Sequence, residues 1–237
     1  MQHIENDEKR KERMLSARKI LTISPHPDDS EIIAGGYLFQ AVKKGAKVRI
    51  LVVTDGSKGT RKKYENLAMV RKMEQLGAAA ILGIGDVSFL GIEDTRTPQP
   101  REMVDILLPE IREFSPDLVI TNDPFLSYES HLDHINTGLG VLQSIIFYEF
   151  PNIGSGEVNS RAPDVAVAFS DSPNVFIGID DEYRIKIDAL REHRSQNIDL
   201  SWIEKICSYY GNFSKTRYGE AFRFLYPDEL HLNIFHQ

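Results

Sequence analysis

Apolar residues fall into two patterns that alternate along the chain. Residues 20–23, 48–53, 87–90 and 118–121 form short apolar runs, and 48–53 is almost unbroken and β-branched, as in a strand covered on both faces. Between them, residues 32–42, 64–76, 103–114 and 135–146 place apolar side chains at helical spacing. Gly45 and Gly77 read as stops for the first two helices, and Ser115-Pro116 as the stop for the third. Strands alternating with helices across short connections predict right-handed βαβ units on a mostly parallel sheet, an α/β fold. The polar, glycine-containing stretch 152–162 reads as a surface loop. Short strands near 165–168 and 175–179, helices over 182–193 and 200–210, and an apolar run at 221–225 follow as a C-terminal extension packed onto the same domain. The lead, residues 5–18, is crowded with charge and reads as a solvated, helical arm. The expected organisation is a charged arm over 1–18 and a single domain over 19–237.

Composition narrows the function classes. A chain of 237 residues buries enough surface to fold without disulfides. Its formal net charge of −7 argues against a general nucleic-acid or anionic-membrane binder. The single cysteine, Cys207, excludes an intrachain disulfide and a zinc site built from several thiolates, and it reads as a small apolar residue on a helix. No apolar run approaches the ~20 residues of a membrane helix, and the charged start lacks a signal-type apolar stretch, so a cytoplasmic protein is expected. Seven histidines are then the natural carriers of chemistry.

Two groups of residues stand out. His26-Pro27-Asp28-Asp29-Ser30-Glu31 follows the first strand and opens the first helix. Asp28 and Glu31 have the spacing of a helix capping box, but capping explains neither His26 nor the second adjacent carboxylate. His131-Leu132-Asp133-His134 follows the strand at 118–121 and opens another helix, with Asp133 as a possible cap. If the sheet has the common order 3-2-1-4-5, strands one and four are neighbours and both groups face the crevice beyond the carboxyl ends of the strands, where ligands bind. His26, one aspartate and one of the two histidines of the second group would then form a two-histidine, one-carboxylate metal site with a position left for water.

These residues resemble the PIG-L/LmbE-like zinc N-deacetylases. The family's His-Pro-Asp-Asp-x-Glu turn is matched by residues 26–31, and its His-Pro-Asp-His motif by 131–134 except for Leu132 in place of proline. Arg71-x-x-Glu74 before Leu76-Gly77, Ala189-Leu190-x-x-His193-x-Ser195-Gln196, and Tyr218-Gly219-Glu220-Ala221-Phe222-Arg223 resemble further family elements, so the likeness runs from about residue 20 to about 224. The resemblance implies a Rossmann-like, three-layer αβα fold, one zinc ion, and removal of an N-acetyl group from an N-acetylglucosamine-type substrate. Carried over by position, it implies that His26, Asp29 and His134 bind zinc and that Asp28 is the general base. It also implies that a protonated His131 stabilises the oxyanion, that Arg71 contacts substrate, and that the protein is a homo-oligomer. Asp133 could orient a histidine. Tyr128 reads as a plain loop residue, His193 and Gln196 as structural residues at the rim, and His3, His231 and His236 receive no role.

Three rivals are weaker. His26-x-Asp28…His134 also fits the facial triad of Fe(II)/2-oxoglutarate oxygenases, but those are built on all-β barrels. A nucleotide-binding module lacks its Gly-x-Gly-x-x-Gly after the first strand. A non-catalytic sugar-binding relative is disfavoured by the intact Asp28.

Overall fold

The strands expected from the apolar runs are β1 (Lys19–Ser24), β2 (Lys47–Thr54), β3 (Asp86–Ile92), β4 (Leu118–Asn122), β5 (Asp164–Ala168), β6 (Val175–Gly178) and β7 (Gly219–Leu225). In this computed structural model, which describes residues 2–158 and 160–231 with side chains from residue 7 onward, they form one sheet. His236 and the side chain of His3 lie outside the described residues. The order is β3-β2-β1-β4-β5-β7-β6. β1 to β5 are parallel, whereas β7 runs antiparallel to β5 and β6. The C-terminal stretch therefore extends the sheet as well as packing on it.

Alternate residues of the buried strands feed two separate cores, as the two-residue period of a strand requires. Ile20, Val48, Ile50, Val52, Leu118 and Ile120 face one core, and Leu21, Ile23, Leu51, Val53 and Val119 face the other. The first core is covered by α2 (Asp29–Lys43), α3 (Leu67–Ile81), α6 (Tyr183–Glu192) and α7 (Leu200–Ser214). The second is covered by α4 (Pro100–Phe114) and α5 (Leu132–Phe147). This is a three-layer αβα sandwich with its topological switch between β1 and β4.

Two local expectations change. Gly77 does not end its helix: α3 runs on to Ile81, and the chain turns at Gly83, whose φ is +72°. A Cβ on Gly77 would lie 3.3 Å from the Glu192 carboxylate of α6, so the glycine permits close helix approach. The charged lead is a helix, α1 (Gln2–Ser16), but it is not free of the domain. Met14 is in the first core, and Arg10 donates to both carboxylate oxygens of Glu229 at 2.6 Å.

Candidate active site at the switch point

The turn after β1 is buried throughout. Asp28 adopts φ 116°, a left-handed conformation that strains any residue with a Cβ, and its side chain makes no capping bond to α2. Capping therefore does not explain this aspartate. Its N–H donates to Gln75 Oε1 at 3.0 Å, and its Oδ2 lies 3.3 Å from Arg71 Nη2. Arg71 also donates to Pro27 O at 2.6 Å and to Gly56 O at 3.1 Å. Its side chain is only 3% exposed, so it braces the turn as a buried residue. Gln75 turns its other end to Glu31 Oε1 at 2.7 Å, and Glu31 Oε2 lies 3.4 Å from His193 Nε2. Glu31 is thus a buried structural carboxylate, and His193 is its partner.

The turn after β4 is more open. His131 is the N-cap of α5, and its Nδ1 accepts the Asp133 N–H at 3.3 Å. That bond leaves the ring hydrogen of a neutral His131 on Nε2. Asp133, one residue into α5, turns inward instead of capping. Its oxygens accept from Thr95 N at 2.8 Å and from Thr97 N and Oγ1 at 3.2 and 2.7 Å. Asp133 Oδ2 also lies 3.2 Å from His26 Nε2, which joins the two turns. Tyr128 is 99% exposed in the loop before them.

Three ligand-type atoms converge between the turns. His26 Nδ1 is 3.3 Å, and His134 Nε2 3.7 Å, from Asp29 Oδ2. The edge of a tetrahedron of ligands at zinc-like bond lengths is about 3.4 Å, so the spacing fits a small divalent cation. Each histidine is held through its other nitrogen: His26 Nε2 by Asp133 and by Asp94 at 3.5 Å, and His134 Nδ1 by Glu129 at 3.4 Å. His26, His131 and Asp133 form a second possible group. Asp133 is already saturated by three donors besides His26, whereas among the described residues Asp29 accepts only the His26 N–H at 2.8 Å. The first group is therefore the better cation site. The oxygenase triad His26, Asp28, His134 is not among the possible ligand groups of the described residues.

The electrostatics point the same way. Burial works against a charged His26, but the carboxylates of Asp133, Asp29 and Asp94 outweigh it and raise its pKa to about 11. Three carboxylates around one imidazole make a surplus of negative charge that a bound cation would offset. Burial also opposes ionisation of Asp29 and Asp133, yet His134 and His26 hold Asp29 low, and His26 and Thr97 hold Asp133 low. Asp28 differs. Burial, assisted by Asp29, pushes it up to about 7 against the pull of Arg71, His193 and His26. Two adjacent carboxylates with divergent proton affinities suit a ligand and a proton carrier respectively. Burial and the neighbouring His26 and His134 lower His131.

Gln75, Asp94 and Glu129 carry no motif, and nothing local marks them. Only the fold brings α3, the loop after β3 and the loop after β4 to the same crevice.

Fold and site together define a doubly wound α/β protein with a His–Asp–His group and a strained aspartate at its switch point. The chain belongs to the PIG-L family, described as GlcNAc-PI de-N-acetylase, which matches residues 21–145. It is 33% identical to a diacetylchitobiose deacetylase of Thermococcus kodakarensis, with 91% of this chain and 86% of that one covered. The solved N,N'-diacetylchitobiose deacetylase of Pyrococcus horikoshii superposes with TM-score 0.86 at 33% identity, covering 93% of this chain and 88% of that one. A 4-carboxy-2-hydroxymuconate hydratase from Pseudomonas putida shares the fold at TM-score 0.77 but only 19% identity, covering 89% of this chain and 97% of its own. Fold alone therefore does not decide the chemistry, and the site must.

Proposed function

We propose that this chain is a zinc-dependent N-deacetylase that hydrolyses the acetamide of an N-acetylglucosamine-type amino sugar to acetate and a free amine. The observation that carries the reading is the convergence of His26 Nδ1, Asp29 Oδ2 and His134 Nε2 beside an aspartate with no capping duty. Those three residues hold the ion, which when bound supplies Lewis acidity that lowers the pKa of a water and polarises the acyl carbonyl. Asp28 takes the proton of the attacking water and delivers it to the nitrogen as the C–N bond breaks, so one carboxylate acts first as base and then as acid. Arg71 and Gln75 hold Asp28 in place, a positioning role for an arginine expected to touch substrate.

His131 donates its Nε2–H to the tetrahedral oxyanion. The Asp133 N–H on Nδ1 supports a neutral donor, so protonation is not needed and the rate should not fall as pH rises through the lowered His131 pKa. Among the described residues no helix is long and apolar enough to cross a membrane. We place the protein in the cytoplasm, which its single unpaired Cys207 supports. The exposed Trp202, Tyr209 and Phe213 on α7 support a homo-oligomer.

The test is direct. Purified protein is assayed for bound metal and for acetate release from a panel of N-acetyl sugars, with His134→Ala alongside. Zinc that co-purifies and is lost in His134→Ala together with acetate release is the expected result. A protein that releases no acetate from any member, or a His134→Ala variant with full zinc occupancy, would overturn the reading or its ligand set.

A further inference from the structure

The loop between β4 and α5, residues 123–131, carries a carboxylate that touches both histidines of the second turn. Glu129 Oε1 accepts the His131 N–H at 2.7 Å, and Glu129 Oε2 lies 3.4 Å from His134 Nδ1. The two imidazoles it spans are stacked, with ring centroids 5.0 Å apart and planes 24° from parallel. The Glu129 side chain is only 20% exposed, and among the described residues no lysine or arginine pairs with it. A solvated surface ion pair therefore does not account for its place.

The backbone around Glu129 is pinned on both sides. The Ser127 N–H donates to Asp171 Oδ2 at 2.9 Å, which ties the loop to the turn after β5. The Glu129 N–H closes a turn on Leu126 O at 3.0 Å, and Ser130 Oγ donates to Tyr128 O at 3.2 Å. Inside that turn Tyr128 takes φ +65°, a left-handed conformation that is unfavourable for an aromatic residue. Such strain persists only where the surroundings fix the backbone, and here the fixed backbone delivers the next side chain, Glu129, to the two rings.

We propose that Glu129 is a positioning residue for the deacetylation: its carboxylate sets the tautomer and orientation of His134 and, through the His131 backbone, the place of the oxyanion donor. The inference rests on the deacetylase reading and adds to it a residue that acts through both histidines. An ionised carboxylate accepts hydrogen bonds and donates none. It therefore places the hydrogen of a neutral His134 on Nδ1 and leaves the lone pair of Nε2 towards Asp29 Oδ2, 3.7 Å away. The opposite tautomer would put a hydrogen where the cation belongs. The second oxygen of Glu129 holds the His131 N–H at the entry to α5, so the side chain that donates to the oxyanion starts from a fixed backbone.

The experiment measures the zinc affinity of the full chain by competition with a chelator, for the wild type and for Glu129→Ala, Glu129→Gln and Asp171→Ala. Turnover of N-acetyl sugars is followed beside it in protein saturated with zinc. Glu129→Ala should bind zinc about 10–100-fold more weakly. At saturating zinc its kcat should still fall about tenfold with KM almost unchanged, because the freed His131 backbone weakens a contact made in the transition state. Glu129→Gln retains one acceptor oxygen and should recover part of both losses. Asp171→Ala loosens the loop but leaves the carboxylate, and its zinc affinity should stay within about twofold of wild type, the scale of an ordinary surface substitution. Wild-type zinc affinity in Glu129→Ala, or an equal loss in Asp171→Ala, would overturn the assignment. If no sugar yields acetate from the wild type while Glu129→Ala still weakens zinc binding, the deacetylase reading fails and the hold of Glu129 on His134 stands.

Discussion

The two turns that meet at the switch point are built in opposite ways. The first, after β1, is buried on all sides: the N–H of Asp28 goes to Gln75, the carbonyl of Pro27 to Arg71, and His26 to Asp133. The second, after β4, exposes 63% of Leu132 and leaves His131 on the surface, while Asp133 is buried and His134 half-buried. The first turn therefore carries fold and chemistry together, whereas the second carries chemistry with little of the fold resting on it. Substitutions should separate along that line.

The largest effect should come from His26→Ala. It removes a proposed ligand and leaves Asp29, Asp94 and Asp133 facing one another in a buried space. Activity should be abolished, metal lost, and the protein destabilised by about 3–5 kcal/mol, the range for breaking a buried charge pair from one side. Metal analysis after dialysis and calorimetric melting would check it. A variant that keeps the wild-type melting temperature would erase the distinction between the turns.

Asp28→Asn comes next, and it should divide activity from stability. Loss of the proton carrier should lower kcat by about 10²–10⁴-fold while metal is retained. Stability should move the other way. A carboxyl whose folded pKa is raised to about 7 from an ordinary 3.8 contributes stability only below the unfolded value, and that contribution is lost as pH rises through the folded one. In metal-free protein the variant should therefore gain on the wild type between about pH 4 and about pH 8. Melting curves of both proteins across that range give the readout, and a difference independent of pH would refute the buried-carboxyl account. In the wild type the acid limb of kcat/KM should lie at or below about pH 7, because a bound cation favours the ionised form.

Gln75→Leu should have a smaller effect on rate. It leaves the Asp28 N–H and one Glu31 oxygen without partners in a buried site, at about 1–3 kcal/mol, and frees a strained backbone. A loss of about tenfold in kcat with unchanged metal content is expected. Gln75→Glu, which retains the acceptor towards Asp28, should recover part of the rate if the role is positioning. Equal kcat in both variants would assign Gln75 to stability alone.

Gln75 also marks the limit of what a linear reading yields. The first turn stood out as a candidate site because a histidine and two carboxylates on one turn exceed what helix capping requires, whereas the division into ligands and base came from the family resemblance. The mostly parallel sheet was legible from alternation and short connections, and the order 3-2-1-4-5, taken only as a condition, is the one the first five strands adopt. Gln75, Asp94 and Glu129 were not legible, since each acts from a different element and resembles any polar residue until the crevice closes. Gly77 reads as a stop by type, yet its use is set by the approach of α6. In α1, Arg10 and Met14 are one helical turn apart and both face inward, but two positions among so many charges make no visible stripe.

The smallest effect should come from Leu132→Pro, which restores the residue of the resembled motif. Leu132 is the first residue of α5, where the backbone N–H has no partner within the helix and the fixed φ of proline is already helical. The preceding His131 has φ −79° and ψ 105°, an extended conformation close to that favoured before proline. The side chain is solvent-facing, so no core contact is lost. Proline should restrict the unfolded chain and stabilise the protein by about 0.4–1 kcal/mol. Acetate release and metal content should stay within about twofold of wild type, which is about 0.4 kcal/mol. The check is a melting curve beside both assays. A variant that melts lower and loses His134-dependent metal would mean that the second turn, despite its exposure, is held by its backbone as firmly as the first is by its side chains.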